Sequence, residues 1–491
     1  MFESVEVGHR LKKSTFKRRE PQLRQRLLAL QYRMLEKNEF PVVVLVNGLD
    51  GAGKSETVNL FNEWMDPRHI RTVAFGPPTD WERERPPMWR YWQSLPPKGH
   101  VGLLYGSWYE DAIDRRVFGR LKRGELERRL DAIRHFERML AAEGTVLLKL
   151  WFHLSRPAQK ARLDELAGDK YTAWRVTREE WRQYRSYDSF VSVAEEVLSE
   201  TSSGEAPWEI IDGADHEFRS LTAGTLLAET LEARLAGKRP EPAPVPPPPR
   251  PPLDHRNLLN AADYTRRLPR DSYETKLEKH QARLNALMRS ARMRERSLVA
   301  VFEGVDAAGK GSTIRRITQA LDARRYRVIP IAAPTEEERA QPYLWRFWRH
   351  VPGHGRAAIF DRSWYGRVLV ERVEGFAPEQ DWMRAYPEII DFEEQLAGAG
   401  AIVAKFWLAI TPEEQLRRFK SREATAYKRY KIGPDDWRNR KKWRAYEHAV
   451  VDMVERTSTA AAPWNVITSD DKLHSRIAVL KTLCTTIEDA L

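Results

Sequence analysis

The chain has 491 residues, with 82 Lys plus Arg against 70 Asp plus Glu and a formal net charge of +12. Its 42% hydrophobic residues exclude a mainly disordered chain, and its single cysteine, Cys484, excludes an internal disulfide and a cysteine-rich metal site. No apolar run reaches the ~20 residues of a membrane span, and Met1 to Ser14 lack the apolar core of a secretory signal. We therefore expect a cytoplasmic protein. The positive net charge suits an anionic partner, such as nucleic acid, a membrane surface or a polyphosphorylated ligand, but it equally suits a protein that is basic only for solubility.

The sequence repeats itself at a constant offset of 256 residues. The matched segments are Gly48–Lys54 and Gly304–Lys310, Trp89–Trp92 and Trp345–Trp348, Ser107–Tyr109 and Ser363–Tyr365, and Ala206–Trp208 and Ala462–Trp464. Two copies of one domain are therefore predicted, at residues 1–237 and 254–491. Residues 238–253 are predicted to be a linker because nine of 13 residues from Pro240 to Pro252 are proline, although such a run also suits a proline-binding partner.

Short apolar runs alternate with helical patterns in each copy. The predicted strands are Pro41–Val46, Leu298–Phe302, Ala357–Phe360, Ala401–Ile410 and Trp464–Ile467. Strands that are apolar on both sides and are separated by helices indicate a parallel sheet that is covered on both faces. The fold class is therefore α/β in two copies. Thr411 to Glu414 predict a helix start with a capping box.

A phosphate-binding loop follows an apolar strand in each copy. Residues 48–55 have the full Walker A pattern, in which backbone N–H groups and a helix N-terminus bind phosphate. In the second copy Lys310 is followed by Gly311 instead of the Ser or Thr that ligates magnesium in many such loops. Asp306, matched by Asp50, is the predicted replacement ligand.

The two copies differ in a second motif, an apolar strand that should end in an aspartate beside the phosphate loop. In the second copy an apolar strand ends in Asp361, which predicts a carboxylate beside the phosphate loop that holds Mg²⁺. Arg362 is then expected to face the transferring phosphoryl group. The first copy has Tyr105 and Gly106 at these positions, so it is predicted to be inactive.

A basic stretch follows in the second copy. Residues 415–444 contain 12 Lys or Arg and 3 Asp or Glu, a net charge of +9, whereas residues 159–188 contain 7 and 6, a net charge of +1. The loss of this charge in the copy that also lacks Asp361 favours a functional role over an ordinary solvated face. The stretch is predicted to be a lid that closes over an extended polyanion. Trp89, Trp92, Trp345 and Trp348 are predicted to belong to the core.

Five segments of the second copy together resemble the polyphosphate kinase 2 family: Gly304–Gly311, Pro334–Glu338, Trp345–Trp348, Asp361–Tyr365 and Asp436–Arg440. The glycine after the loop lysine is typical of that family, and the degenerate first copy is similar to its fused branch. The resemblance implies two tandem thymidylate-kinase-like P-loop domains, each a three-layer α/β/α domain with a parallel sheet and a helical lid. It also implies Mg²⁺-dependent transfer of the terminal phosphate of inorganic polyphosphate to AMP, giving ADP.

The resemblance also implies site residues. Asp306 and Asp361 are expected to hold the metal and to form the catalytic set together with Lys310 and Arg362. The expected polyphosphate contacts are Gly309, Lys310, Gly311, Lys428, Arg429, Lys431, Arg438, Asn439 and Arg440. Arg346 and Arg367 are expected at the nucleotide phosphate.

Three other functions are compatible with these patterns. One is an ATP-dependent nucleoside monophosphate kinase of the same fold. Another is a nucleic-acid-binding P-loop protein, in which Trp437 and Trp443 would stack on bases. A third is a phosphate sensor without catalysis, against which the intact Asp361 and Lys310 argue. We expect polyphosphate and AMP as partners, and neither nucleic acid nor a membrane. The oligomeric state stays open, since the first copy can serve the second as another subunit would.

Overall fold

The computed structural model describes residues 1–237 and 257–491. The strands are β1 (Val42–Gly48), β2 (Ile70–Ala74), β3 (Val101–Tyr105), β4 (Val146–His153), β5 (Trp208–Asp212), β6 (Ser297–Gly304), β7 (Tyr326–Pro330), β8 (Ala357–Asp361), β9 (Ala401–Ala409) and β10 (Trp464–Thr468). In these ranges they form two parallel five-stranded sheets, ordered β2-β3-β1-β4-β5 and β10-β9-β6-β8-β7. Adding five to each strand number of the first sheet gives the strand order of the second sheet, read from the opposite edge. The two sheets therefore have the same topology, which confirms the predicted duplication of an α/β fold.

Helices connect the strands in both copies. In the first copy they are α1 (Lys13–Lys37), α2 (Lys54–Trp64), α3 (Asp80–Arg83), α4 (Trp89–Trp92), α5 (Glu110–Val117), α6 (Arg123–Ala142), α7 (Arg156–Gly168), α8 (Arg178–Arg185), α9 (Tyr187–Thr201) and α10 (His216–Leu235). In the second copy they are α11 (Arg270–Arg289), α12 (Lys310–Thr318), α13 (Glu336–Arg339), α14 (Trp345–Trp348), α15 (Val370–Glu374), α16 (Glu379–Gly398), α17 (Pro412–Ala424), α18 (Pro434–Lys441), α19 (Trp443–Thr457) and α20 (Lys472–Ala490). Short 3-10 helices lie at Glu3–Val5, Pro67–His69, Ala173–Arg175, Arg292–Glu295, Trp364–Arg367 and Ala426–Lys431.

The central strands explain why the sequence contains long apolar runs. Every residue of β1 and of β9 is buried, as are the first seven residues of β6. Burial of both faces requires helices on both sides of each sheet, which confirms the three-layer arrangement. One edge strand of each sheet, β2 in the first copy and β7 in the second, is mostly solvent-accessible.

The described residues divide into two compact units. One contains Met1–Pro78, the described part of Arg90–Pro242, and Pro334–Trp345; the other contains Thr79–Trp89, the described part of Ala243–Ala333, and Arg346–Leu491. The predicted linker, 238–253, lies outside the described residues. The predicted boundaries of the two domains stay a prediction.

Two smaller predictions have mixed outcomes. Trp92, Trp345 and Trp348 are buried as expected, whereas Trp89 is only half-buried. No helix in the described part of the chain is both long enough and apolar enough to cross a membrane. The cytoplasmic location stays a prediction.

The predicted capping box at the start of α17 is only half formed. The Thr411 hydroxyl accepts a hydrogen bond from the Glu414 N–H, as expected. The Thr411 N–H, however, donates to Asp470 Oδ1 at 2.9 Å, and Glu414 Oε1 instead accepts a hydrogen bond from Arg418 Nε at 2.5 Å. A tertiary partner therefore replaces the local one and leaves Glu414 available to hold an arginine.

A buried lysine connects the sheet to two helices in the second copy. The side chain of Lys405, on β9, has no exposed surface, and its Nζ donates to Glu393 Oε2 at 2.7 Å, the Tyr365 hydroxyl at 2.8 Å and the Thr457 carbonyl at 2.8 Å. The first copy repeats this cluster with Lys149, Glu137, Tyr109 and Thr201. Because an ion that is buried without its partner costs several kcal/mol, the cluster must stay complete.

Lys405→Met should lower the free energy of unfolding by about 3–5 kcal/mol, because it leaves Glu393 buried without its cation. Urea unfolding followed by circular dichroism measures the loss. Arg270→Ala is the control, since its pair with Glu274 is exposed and such pairs contribute less than about 1 kcal/mol. Equal stability of the Lys405→Met variant and the unchanged protein would contradict this role.

Candidate active site

The phosphate loop of the second copy joins β6 to α12. Gly304 begins it with φ +150°, and a Cβ atom there would lie 2.7 Å from the Leu408 carbonyl oxygen, so only glycine fits. Lys310 Nζ donates to the Gly304 carbonyl at 2.5 Å. Burial and the neighbouring Arg362 lower the pKa of Lys310. The loop thus holds its lysine beside the backbone that is expected to receive a phosphate.

Three of the predicted site residues meet at the carboxylate of Asp306. Its Oδ1 accepts a hydrogen bond from Arg362 Nη2 at 3.1 Å, and its Oδ2 accepts one from Asn439 Nδ2 at 2.8 Å. Asp306 lies in the loop after β6, Arg362 follows β8, and Asn439 lies on α18. Residues separated by up to 133 positions therefore form one group, and this group links the basic stretch to the phosphate loop.

Arg362 has a strained backbone. Its φ is +66°, in the left-handed region that costs a non-glycine residue about 1–2 kcal/mol. The matching residue of the first copy, Gly106, has φ +65°, so there the same turn carries no such cost. Strain of this kind persists at functional sites. The side chain of Arg362 is 54% exposed, and it lines the cleft described below.

Asp306 and Asp361 both line the same cleft. A Cβ atom at Gly311 would lie 3.7 Å from Asp361 Oδ2, so the glycine keeps the space beside this carboxylate free of a side chain. Two carboxylates fit Mg²⁺, which commonly takes one or two carboxylates and completes its shell with phosphates and water. In residues 1–237 and 257–491 no three His, Cys, Asp or Glu side chains could together hold a metal. A metal at this pair would therefore take further ligands from water or substrate.

The cleft has a volume of about 680 Å³ and is strongly cationic. Its basic lining residues are Lys310, Arg315, Arg362, Arg417, Arg418, Arg422, Lys428, Lys472 and Arg476. Its acidic lining residues are Asp306, Asp361 and Asp436. This excess of cations suits a ligand with several negative charges.

The predicted polyphosphate contacts divide into two groups. Gly309, Lys310, Gly311 and Lys428 line the cleft. Asn439 reaches it through Asp306. The others bond elsewhere in the basic stretch or beside it: Arg429 to the Glu423 carbonyl, Arg438 to Glu374 and Asp435, and Arg440 to the Pro412 carbonyl and Gln415. The side chain of Lys431 lies outside the described part of the structure.

The two predicted nucleotide contacts lie apart from the cleft lining. Arg346 Nη2 donates to the Ala332 carbonyl at 3.0 Å. Arg367 Nε lies 2.8 Å from Glu371 Oε2, in an ion pair within one turn of chain. Their roles stay predictions.

Arg418 is a site residue that sequence reasoning missed. Its buried guanidinium donates to the carbonyl oxygens of Ala307 at 2.8 Å and Ala308 at 3.0 Å, both in the phosphate loop, and also to that of Ser469. Ala307 has φ +65°, a conformation that favours glycine, and Arg418 holds this peptide in place. The local feature of the sequence that indicates a fixed position for Arg418 is Glu414, four residues earlier, because the two side chains lie on the same helix face and form an ion pair.

The cleft of the first copy is small, and its charged lining residues are two carboxylates, Glu110 and Asp114, and one lysine, Lys54. Its volume is about 20 Å³, and Lys54 Nζ lies 3.2 Å from Asp50 Oδ1. A Cβ atom at Gly106 would lie 2.1 Å from Glu110 Oε2, so Glu110 occupies the space beside the position where the second copy has an arginine. Burial, Glu110 and Asp50 raise the pKa of Asp114, in the same cleft, to about 7.

Another carboxylate of the first copy, that of Glu56, binds the arginines around its phosphate loop. Glu56 lies 2.9 Å from Arg162, 3.5 Å from Arg175 and 2.5 Å from Arg219. Although burial opposes the effect, these guanidinium groups hold the pKa of Glu56 below its usual range. A Cβ atom at Gly53 would lie 2.1 Å from the Arg219 guanidinium, which therefore covers the loop backbone. An internal carboxylate thus occupies the cations that could otherwise bind phosphate.

The second copy combines a phosphate loop, a carboxylate and an arginine after the neighbouring parallel strand, and a basic helical segment. This combination defines a P-loop phosphotransferase site. The sequence profile of Polyphosphate kinase 2 (PPK2) matches residues 10–239 and again residues 267–491. The chain belongs to the polyphosphate kinase 2 family, as the motifs predicted.

Full-length relatives agree with this assignment. The chain is 53% identical over 493 residues to the polyphosphate:AMP phosphotransferase of Pseudomonas aeruginosa, covering 100% of this chain and 99% of that protein. It is 35% identical to the polyphosphate:AMP phosphotransferase of Acinetobacter johnsonii, covering 94% and 95%. A crystal structure given as that of a polyphosphate kinase 2 from Pseudomonas aeruginosa superimposes with a TM-score of 0.90 at 51% identity, covering 100% and 99%.

Arg418→Lys should raise the KM for the phosphate donor about tenfold, because an ammonium group cannot replace several guanidinium bonds to the loop carbonyls. Steady-state kinetics measure the change. Arg162→Lys, at the matching position of the first copy, should leave the KM unchanged. An unchanged KM in Arg418→Lys, or an equal rise in both variants, would count against the assigned role.

Proposed function

We propose that this protein transfers the terminal phosphate of inorganic polyphosphate to AMP and so forms ADP, with the second copy as the catalytic one. The observation that carries the proposal is Arg362, which keeps a left-handed backbone beside Asp361 and an intact phosphate loop, whereas the first copy has a glycine. The donor and acceptor are supported by the names of the relatives that match the whole chain, which are polyphosphate:AMP phosphotransferases.

Phosphoryl transfer depends mainly on positioning and on electrostatic stabilisation of the transferring group. The loop N–H groups and Lys310 are placed to bind the terminal phosphate of the donor. Arg362 extends its guanidinium into the cleft, where it can meet the negative charge of the transferring group. Lys428 lines the same cleft and would neutralise further phosphates of the chain. Asn439 connects α18 to Asp306, so donor binding and closure of the lid would be linked.

Enzymes of this family need a divalent metal, and we propose Mg²⁺. Asp306 and Asp361 would hold it, since both carboxylates open on the cleft and Gly311 leaves the second one uncovered. When bound, the cation supplies neutralisation of phosphate charge. Asp306 would keep the hydrogen bonds that orient Arg362 and Asn439.

Arg346 and Arg367 remain the proposed contacts of the AMP phosphate. Each now has a partner close in the chain, so AMP would have to attract the guanidinium from the Ala332 carbonyl or from Glu371. A phosphate dianion competes well for Arg346, because charge-assisted hydrogen bonds are stronger than those to a neutral carbonyl. At Arg367 it would have to compete with the carboxylate of Glu371.

We propose that the first copy is catalytically inactive. Its loop lysine is paired with Asp50, Glu110 lies against Gly106, and Glu56 binds the surrounding arginines. A polyanion would meet negative charge in a cleft of only about 20 Å³. The first copy would then support the second in place of another subunit.

The test is ADP formation from AMP, long-chain polyphosphate and Mg²⁺ in the absence of ATP. We expect ADP at a rate that is independent of added nucleoside triphosphate. ADP that forms only after ATP is supplied would instead indicate an ATP-dependent nucleoside monophosphate kinase. Displacement of the donor by single-stranded nucleic acid, with no ADP formed, would indicate the nucleic-acid-binding alternative.

Asp361→Asn should lower kcat about 100-fold or more, because it removes a carboxylate from the metal pair at the site of charge transfer. The same ADP assay measures the loss. Tyr105→Phe, at the matching position of the first copy, serves as the control and should retain full activity. Full activity of Asp361→Asn would show that the second copy is not the catalytic one.

A further inference from the structure

Three basic side chains outside the predicted set line the cleft of the second copy: Arg315 on α12, and Lys472 and Arg476 on α20. In the described ranges, with 238–256 left out, none of the three side chains forms an ion pair or a hydrogen bond. Arg476 even has a buried Nε atom without an acceptor. Cations at a protein surface usually find an acidic neighbour or point into water, whereas these three share the lining of one cleft with the phosphate loop.

The environment of Lys472 shows that positive charge is concentrated there. Partial desolvation in the cleft lowers the pKa of Lys472 to about 8, and so do the neighbouring Arg418, Arg417 and Arg476. The nearby carboxylate, Glu414, is already bonded to Arg417 and Arg418. Like charges held this close repel each other, and a bound polyanion would remove that repulsion.

The same charges are absent from the first copy. The positions that match Arg315, Lys472 and Arg476 at the offset of 256 are Asn59, His216 and Ser220. The first copy, which has neither an aspartate nor an arginine at the positions of Asp361 and Arg362, therefore also lacks these three cations. Its Arg162, which matches Arg418, binds Glu56 instead. Basic residues kept only for solubility would have no reason to change together with the catalytic residues.

We infer that Arg315, Lys472 and Arg476 form a second phosphate-binding subsite, which takes units of the polyphosphate chain that do not react. This inference rests on the proposed function and adds to it a basis for chain-length selectivity. A long chain can occupy the phosphate loop and this subsite together, and the second contact then becomes intramolecular. A short donor that fills only the loop gains nothing from it.

The Lys472→Ala/Arg476→Ala variant should therefore raise the KM for long-chain polyphosphate about tenfold, the size expected when charge-assisted phosphate contacts are lost. The KM for tripolyphosphate, the KM for AMP and the kcat at saturating donor should stay within about twofold of the unchanged protein. Arg476→Lys, which keeps the charge, should recover part of the lost affinity. Lys481→Ala, an exposed lysine on the same helix away from the cleft, is the matched control.

Three results would overturn the inference. An equal rise in KM for tripolyphosphate and for the long chain would assign these residues to the phosphate loop itself. A rise in the KM for AMP alone would assign them to the nucleotide phosphate. An unchanged KM for the long chain would show that no subsite exists.

Direct binding separates this inference from the proposed function. Calorimetric titration of the full chain with long-chain polyphosphate and with tripolyphosphate needs no turnover. If the unchanged protein makes no ADP, the proposed function fails. The subsite still predicts that the unchanged protein binds the long chain more tightly than tripolyphosphate, and that the double variant loses this difference. Equal affinities of the unchanged protein and the double variant for the long chain would overturn the subsite alone.

Discussion

The site of the second copy depends on one buried ion pair, Lys405 with Glu393. Glu393 Oε1 also accepts hydrogen bonds from Trp364 Nε1 at 3.0 Å and from the Tyr365 hydroxyl at 2.8 Å. These aromatic residues come two and three positions after Arg362, so the pair fixes the turn in which the catalytic side chains are expected. A site that must hold phosphate oxygens needs such support, because small displacements of its side chains weaken transfer.

The first copy keeps this support, although it lacks the carboxylate and the arginine of the proposed catalytic set. Glu137 there receives the same hydrogen bonds from Trp108 and Tyr109. The two copies therefore differ in charge and not in the arrangement of their strands. The second copy has Arg362 and other basic side chains at its cleft, whereas the first has Glu110 at its cleft and Glu56 among the arginines around its phosphate loop. A carboxylate in a phosphate site would pair with the cations there and repel the substrate, so a copy of this kind could be inactive without unfolding.

The sequence was sufficient to predict those features that depend on the pattern of a short segment. The duplication, five of the ten described strands, the phosphate loop and the position of Asp361 were predicted, because glycine spacing and apolar runs are properties of short segments. The edge strands β2 and β7 were not, since their residues are mostly exposed and form no apolar run. Arg418 and Lys472 were not, since they come together only when α17 and α20 pack around the loop. The capping box is only half formed for the same reason, because Asp470, a residue distant in the chain, takes the Thr411 N–H. Contacts between distant segments cannot be read from a single sequence, but differences between matching positions of the two copies indicate which residues belong to the site.

The most direct test of the division between the copies is the pair of variants Lys310→Ala and Lys54→Ala in the full chain, measured by ADP formation from AMP and polyphosphate. Each variant removes the lysine of one phosphate loop. Lys310→Ala should lose about 100-fold or more of its turnover, and Lys54→Ala should remain close to the unchanged protein. A collapse of turnover in Lys54→Ala with its fold intact, or an active Lys310→Ala, would contradict the assignment of catalysis to the second copy.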